Sequence, residues 1–308
     1  YYASAAIDGL MIISINTIWY AVNRPSDGGP LGDDPAGQFV WLENTLKIAR
    51  ANQTKAYIIG HIPPSMDSYG RHAMWKQEYI PKYRDLVTQY ADVIEAQLFA
   101  HLHTNEFRTH PTWRVPILLQ GAVTPVYKNN PTFRVYTYNQ QTKEILDYVV
   151  YTASLLSTPL GGPPPSDTTE LVWSRAYSFC EKYNLTSLSN QALTGLANTF
   201  QHDTHQFDRF FLALKGGAGG QVAGNTSCSN NVTCRHEWSC LLNNGFELTK
   251  YNECRLVQPS TVVHVTSSQS PTNTHQSPTD THPSPTNTHP STDTHESTHQ
   301  APPQTHTQ

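Results

Sequence analysis

AYIIGHIPP, residues Ala56–Pro64, is a short apolar run that stops at a glycine and then presents a histidine. A continuous apolar run bounded by turn residues suits a buried strand, so Ala56–Gly60 is expected to be one. Some forty residues further on the pattern recurs, where VIEAQLF (Val93–Phe99) reads as a strand and is followed by Ala100-His101-Leu102-His103. In open α/β sheets, sites gather just past the carboxyl ends of strands. His61, His101 and His103 would therefore stand at equivalent strand ends. An H-x-H segment there can aim two imidazoles at one cavity, and a third from a neighbouring strand completes a cluster. Imidazole is a good ligand for zinc and other borderline metals. A lone loop histidine has no such meaning; the two segments together carry the reading.

Working outward, GLMIISI (Gly9–Ile15) is another buried strand, and Asn23–Asp34, dense in Pro, Gly and Asp, is a loop. Asp34 followed by Pro35 looks like a helix start, and Phe39, Leu42, Leu46 and Ala49 recur at helical spacing, which predicts an amphipathic helix over 35–50. Residues 74–90 read as a second helix containing Pro81. Pro116–Gln120 reads as a strand, and Phe133–Tyr138 and Glu144–Tyr151 as a hairpin around Asn139–Gln141. Strands and helices alternate and then give way to antiparallel strands, the pattern of a layered α/β domain. GGPPP (Gly161–Pro165) marks a boundary, after which 168–215 reads as helical with Leu193, Leu196, Ala197 and Phe200 on one face. The expected division is 1–160, 161–258 and 259–308.

The 308 residues suit about two domains, and the net charge of −4 with no long basic run argues against nucleic acid. The apolar runs are too short to span a membrane. Tyr1, with no initiator Met and no charged-then-apolar leader behind it, reads as the cut end of a longer chain. From Pro259 the chain has no Lys or Arg, and from Ser270 it carries a degenerate seven-residue repeat (SPTNTHQ, SPTDTHP, SPTNTHP). Such a segment buries too little apolar surface to offset its ordering entropy, so a disordered, O-glycosylated stalk is expected. Its histidines (His275, His282, His289, His295, His299, His306) are too loosely spaced to preorganise a metal site.

Four N-x-S/T sequons stand at Asn52, Asn184, Asn225 and Asn231, which with the tail favours the secretory route, extracellular or lysosomal. Cys228, Cys234, Cys240 and Cys254 are spaced C-x5-C-x5-C-x13-C, without the tight C-x2-C of zinc ribbons, so disulfides are expected. Three pairings are open, of which the sequential one, Cys228–Cys234 and Cys240–Cys254, is preferred. Cys180 is left over and reads as a small helix hydrophobe. No G-x-S-x-G occurs, GGAGG (Gly216–Gly220) lacks the Lys-Ser/Thr of a phosphate loop, and His202 and His205 read as part of a solvated helix face.

GLMIISINT (Gly9–Thr17), DPAGQFVWLENTL (Asp34–Leu46), YIIGHIPP (Tyr57–Pro64), AQLFAHLHTNEF (Ala96–Phe107) and AVTPVYKNNPTFRVY (Ala122–Tyr136) keep the order and spacing of a known family. The chain resembles the distal part of the acid sphingomyelinases and acid sphingomyelinase-like phosphodiesterases, calcineurin-like metallophosphoesterases. The resemblance covers nearly all of 7–256 and none of the tail. It implies an α/β fold, the distal part of a four-layer α/β/β/α sandwich. A small helical, disulfide-bearing C-terminal domain and the disordered tail would follow. It also implies a two-zinc centre hydrolysing phosphodiesters, either sphingomyelin or nucleotide and CDP-choline-type substrates. By motif matching His61 and His101 would ligate one zinc and His103 the other, with Tyr127 and Asn130 near the substrate. Read from the residues alone, Tyr127 is equally a loop aromatic and Asn130 a turn residue before Pro131.

The departures matter as much. The family's D-x-H, G-D and G-N-H motifs, which supply the remaining ligands and the groups that protonate the leaving group, stand ahead of the stretch that matches Gly9–Thr17, and residues 1–8 do not carry them. Three imidazoles of the seven expected ligands, with no bridging carboxylate, should bind zinc poorly. Ala100 stands where the family has Gly, a substitution costing about 1 kcal/mol if φ there is positive and nothing if it is not. Two function classes follow. One is a secreted zinc phosphodiesterase of which this chain, alone, is nearly inactive; the other is a catalytically inactive relative acting as a glycosylated binding or surface module. The likeness of the AVTP segment to the sphingomyelinase-like branch tilts the substrate toward soluble phosphodiesters.

Overall fold

The computed structural model of the chain describes residues 1–24, 32–153, 172–217 and 226–257. All belong to one unit, Tyr1–Thr261, and a second unit, Val262–Gln308, lies outside the described residues. Also outside them are the boundary expected at Gly161–Pro165, the Asn225 sequon, the repeat tail and residues 25–31 of the Asn23–Asp34 loop.

The first sheet is built from β1 (Tyr2–Ile7), β2 (Leu10–Ser14), β3 (Lys55–Ile59), β4 (Ile94–Phe99), β5 (Glu106–Arg108) and β6 (Ile117–Leu119) in the order β1-β2-β3-β4-β6-β5. Strands β2, β3, β4 and β6 run parallel, and β1 and β5 close the edges antiparallel. The parallel centre explains the near-continuous apolar runs, because both faces are covered. On β2 and β3, Ile13, Ala56 and Ile58 join one core and Leu10 and Tyr57 the other.

The first core lies under α1 (Gln38–Ala51) and α2 (Ile80–Gln89). The predicted stripe of α1 is buried, with Leu46 and Ala49 fully so. α1 begins later than expected, at Gln38 behind Gly37 (φ +66°), with Pro35–Gly37 forming a separate 3-10 turn; the Asp34 carboxylate still accepts from the first-turn N–H groups of Phe39 (2.8 Å) and Val40 (3.0 Å). Pro81 sits in the first turn of α2, where its missing N–H costs nothing.

The second core lies between the first sheet, a three-stranded antiparallel sheet and the C-terminal helices. That sheet is β7 (Thr132–Tyr138), β8 (Ile145–Ala153) and β9 (Trp173–Ser178). The hairpin predicted around Asn139 is formed, and Asn139 turns it by accepting from the N–H groups of Gln141 and Thr142. β9 corrects the expectation of helix from 168 onward: its six residues complete the sheet against β8 before any helix begins.

The helices are α3 (Phe179–Tyr183), α4 (Asn190–Thr199), α5 (Thr204–Ala213), α6 (Thr226–Ser229), α7 (Val232–Asn244) and α8 (Leu248–Leu256). Ser178, Ser189, Asp203 and Asn231 cap the starts of α3, α4, α5 and α7. Disulfides Cys228–Cys234 and Cys240–Cys254 are present, in the sequential pairing. Cys180 carries a free thiol on α3, donating to the Leu146 carbonyl at 3.5 Å. The helices are tied to the loops after the strands by Met66 N–H to Gly245 O (2.7 Å), Asn105 N–H to Leu214 O (2.7 Å) and Thr109 N–H to Leu242 O (2.8 Å). Among the described residues no helix is long and apolar enough to cross a membrane.

Candidate metal-binding site

Strands β3 and β4 are neighbours, and their pairing continues past both ends. Gly60 N–H donates to Leu98 O and Ala100 N–H to His61 O, each at 3.0 Å. This ladder sets His61 beside His101, with Nε2 of the first 3.1 Å from Nδ1 of the second and the rings edge to face, 4.9 Å between centroids. The loop behind His61 is pinned: Ile62 N–H donates to Thr17 Oγ1 (2.9 Å), and the Trp75 indole N–H donates to Ile62 O (3.0 Å).

The H-x-H turn is unusual in its backbone. His101 (φ +72°) and His103 (φ +58°) both occupy the left-handed region, while Ala100 does not. Alanine in place of glycine before the motif therefore carries no φ penalty. Strain of about 1–3 kcal/mol for a non-glycine residue in this region is tolerated where the surroundings over-determine it. Here buried Leu102 anchors the turn, and its carbonyl accepts the Tyr69 hydroxyl at 3.0 Å. Next along the chain, the buried Glu106 carboxylate takes hydrogen bonds from Ser68 (2.6 Å), Thr104 and Arg108 (2.8 Å) and holds the base of the turn.

His101 and His103 line an open cavity of about 320 Å3 with Asp67, Tyr69, Met74 and Tyr127. Burial, reinforced by the neighbouring imidazoles His61 and His103, pushes the His101 pKa below its ordinary value. Burial and then His61 do the same for His103. Both shifts favour the neutral ring, the form that ligates metals. His103 Nδ1 is buried with no hydrogen-bond partner, an orphaned lone pair or proton that wants one. Asp67 contributes no free carboxylate, because it accepts from the N–H groups of Tyr69, Gly70 and His72. Burial raises its pKa and those three donors more than reverse it, so the net shift is downward. The donor set fits imidazole-only ligation: one close pair of nitrogens and one orphan nitrogen set apart.

Tyr127 stands over His103, ring centroids 4.9 Å apart, and is about half exposed (54%). Asn130 is instead buried, with its amide donating to Gly216 O at 3.2 Å, and it does not line this cavity. His72 and His110, for which the sequence offered no partner, lie at Asp67 (3.4 Å) and Glu247 (3.3 Å) respectively. His202 lies in the turn ahead of α5 and His205 in its first turn, so they do not share the helix face expected of them; both are exposed. The described residues contain one His/Cys/Cys group with ligand atoms within 4.8 Å: His236, Cys240 and Cys254. Its two cysteines form a disulfide, so it can take a metal only if that bond is opened. Of the sequons, Asn52, Asn184 and Asn231 are exposed.

No family model matches the chain. It is 35% identical over 188 residues to Sphingomyelinase phosphodiesterase D of Dictyostelium discoideum, covering 58% of this chain and 41% of that protein. It is 28% identical over 258 residues to the human Cyclic GMP-AMP phosphodiesterase SMPDL3A (80% of this chain, 53% of that protein). Human Acid sphingomyelinase-like phosphodiesterase 3b is 28% identical over 193 residues, 58% of this chain and 41% of its own length. The chain thus spans about half the length of the curated relatives it matches.

Proposed function

Because the chain belongs to the acid sphingomyelinase and acid sphingomyelinase-like phosphodiesterase family, we propose that His61, His101 and His103 are its share of a zinc site for phosphodiester hydrolysis. The observation that carries this is the 3.1 Å approach of His61 Nε2 to His101 Nδ1 at the ends of adjacent parallel strands, with the orphaned Nδ1 of His103 nearby. His61 and His101 would hold one ion and His103 a second. Zinc in such a site supplies Lewis-acid polarisation of phosphoryl oxygens and lowers the pKa of water.

The chain's own residues do the rest. The β3–β4 ladder fixes the two imidazoles before any ligand arrives, which removes ordering cost from binding. Burial lowers the pKa of His101 and His103, which favours the neutral form that a metal needs. Tyr127 and Tyr69 wall one side of the cavity, their ring centroids 6.3 Å apart. The substrate is a phosphodiester of the lipid-headgroup or nucleotide kind, with soluble esters favoured. Two disulfides and exposed sequons support a glycosylated protein of the secretory route.

Three imidazoles without a free carboxylate make a weak di-metal site, so this chain on its own turns over slowly. With bis(4-nitrophenyl) phosphate and added zinc, hydrolysis is expected to be trace, chelator-sensitive and lost in His101→Ala. Hydrolysis that ignores both chelator and substitution contradicts the metal reading. Vigorous turnover contradicts the incomplete donor set.

A further inference from the structure

A second cavity of about 420 Å3 opens on the other side of Tyr69 from the histidines, between the Ser68–Arg71 loop and helices α5 and α7. Tyr69 lines both cavities, and Thr104 of the second follows directly on His103 of the first. The size is that of a small-molecule pocket. Two cations face it, each laid on an aromatic ring: the Arg71 guanidinium 4.6 Å from the Trp238 ring centre and the Lys215 ammonium 5.8 Å from that of Tyr69. Phe211 adds apolar wall, and Glu237 is the one carboxylate in the lining. Lys215 also donates to the Tyr127 carbonyl at 2.8 Å, which joins it to the loop that covers His103.

We propose that this second chamber seats the group that departs from phosphorus, and that Lys215 and Arg71 select departing groups with a flat or apolar body and an additional negative charge. The inference rests on the reading of the histidine cavity as the phosphodiester site, because it takes its direction from there. Arg71 donates to the Ser68 carbonyl and Lys215 to that of Tyr127, and against these two cations the lining sets one carboxylate, Glu237; an organic anion adds the missing counter-charge and lays its body against Trp238 and Phe211, which a neutral leaving group cannot do. Lys215 and Arg71 are binding residues here; they touch the leaving group and not the reacting phosphorus.

The test is direct binding of phenyl phosphate to the full chain in the presence of chelator, measured by calorimetry. Without metal the assay does not depend on zinc or on turnover. Lys215→Met is expected to weaken binding at least tenfold and Lys215→Arg to restore it to within about threefold, with both variants unfolding at the wild-type temperature. The His61→Ala/His101→Ala/His103→Ala variant is expected to bind as wild type. Binding lost in the triple variant and kept in Lys215→Met would place the anion among the histidines and overturn the chamber. So would binding of benzyl alcohol as tightly as phenyl phosphate, or no binding of phenyl phosphate by the wild type. Failure of the metal reading, by contrast, shows only in zinc uptake and leaves these constants untouched.

Discussion

Gly60 and Phe99 meet so closely that a Cβ on Gly60 would lie 2.7 Å from Phe99 Cε1, and 2.8 Å from Thr17 Cγ2 on the other side. Phe99 is the last residue of β4, two before His101, and Gly60 immediately precedes His61. The absence of one methyl group thus lets the two strand ends close far enough for their histidines to touch.

Gly60→Ala is therefore expected to do two things. Overpacking of this kind costs about 1–3 kcal/mol, so the thermal midpoint falls. The strand ends also part, so zinc affinity falls by more than tenfold even at temperatures where the variant is folded. A variant with lowered stability but wild-type zinc affinity would dissociate the packing from the site.

Arg108 and Glu106 form an ion pair at 2.8 Å with both side chains wholly buried, and Glu106 is also bonded by Ser68 and Thr104. Removing one partner strands the other charge in the interior at a cost of about 3–5 kcal/mol. Arg108→Met is expected to lower stability by that order in a denaturant titration. The double variant Arg108→Met/Glu106→Gln should be less damaged than the single one. If the single and double variants are equally stable, the pair does not carry the turn beneath His103.

A third prediction concerns acid. His110 packs on Trp113 and Phe246, with Nε2 3.3 Å from Glu247, Nδ1 3.0 Å from Thr112, and Arg84 bonded to the same carboxylate and to Asp85. Burial lowers the His110 pKa from its ordinary 6.5, and the bond and charge of Glu247 offset this only in part. The folded state then binds fewer protons than the unfolded one just below that value. The contribution of His110 is full above about pH 6.5 and is lost as pH falls toward its depressed folded value. Glu247 titrates lower: burial raises its pKa, the bonds from Arg84 and His110 outweigh that, and its contribution is lost only as pH drops below the usual 4.5. Wild type should lose stability between pH 7 and 5, and His110→Gln should show a flatter profile there. Parallel profiles would contradict the assignment.

Most of the first sheet was legible because parallel strands covered on both faces read as apolar runs, as Ala56–Gly60 and Val93–Phe99 do. Adjacent parallel strands then bring their carboxyl ends together, so the meeting of His61 and His101 followed from the strands alone. What escaped has physical reasons. β1 (Tyr2–Ile7) is exposed along its whole length, so burial leaves no pattern in it. β5 (Glu106–Arg108) is fully buried although two of its three residues are charged, because the charges neutralise each other, which hydropathy does not register. β9 lies in a stretch that looked helical, and its strand form is set by pairing with β8. The carboxylate partner of His110 and the second chamber are assembled from residues more than a hundred positions apart, beyond the reach of local pattern.

Zinc binding by the histidines at the β3 and β4 ends can be measured directly. The measurement is zinc content after equilibrium dialysis of the full chain against free zinc raised stepwise until uptake saturates, compared with the His61→Ala/His101→Ala/His103→Ala variant, whose tail histidines are unchanged. The expected result is at least one more zinc per chain in the wild type than in the variant. Equal zinc in the two proteins would contradict it.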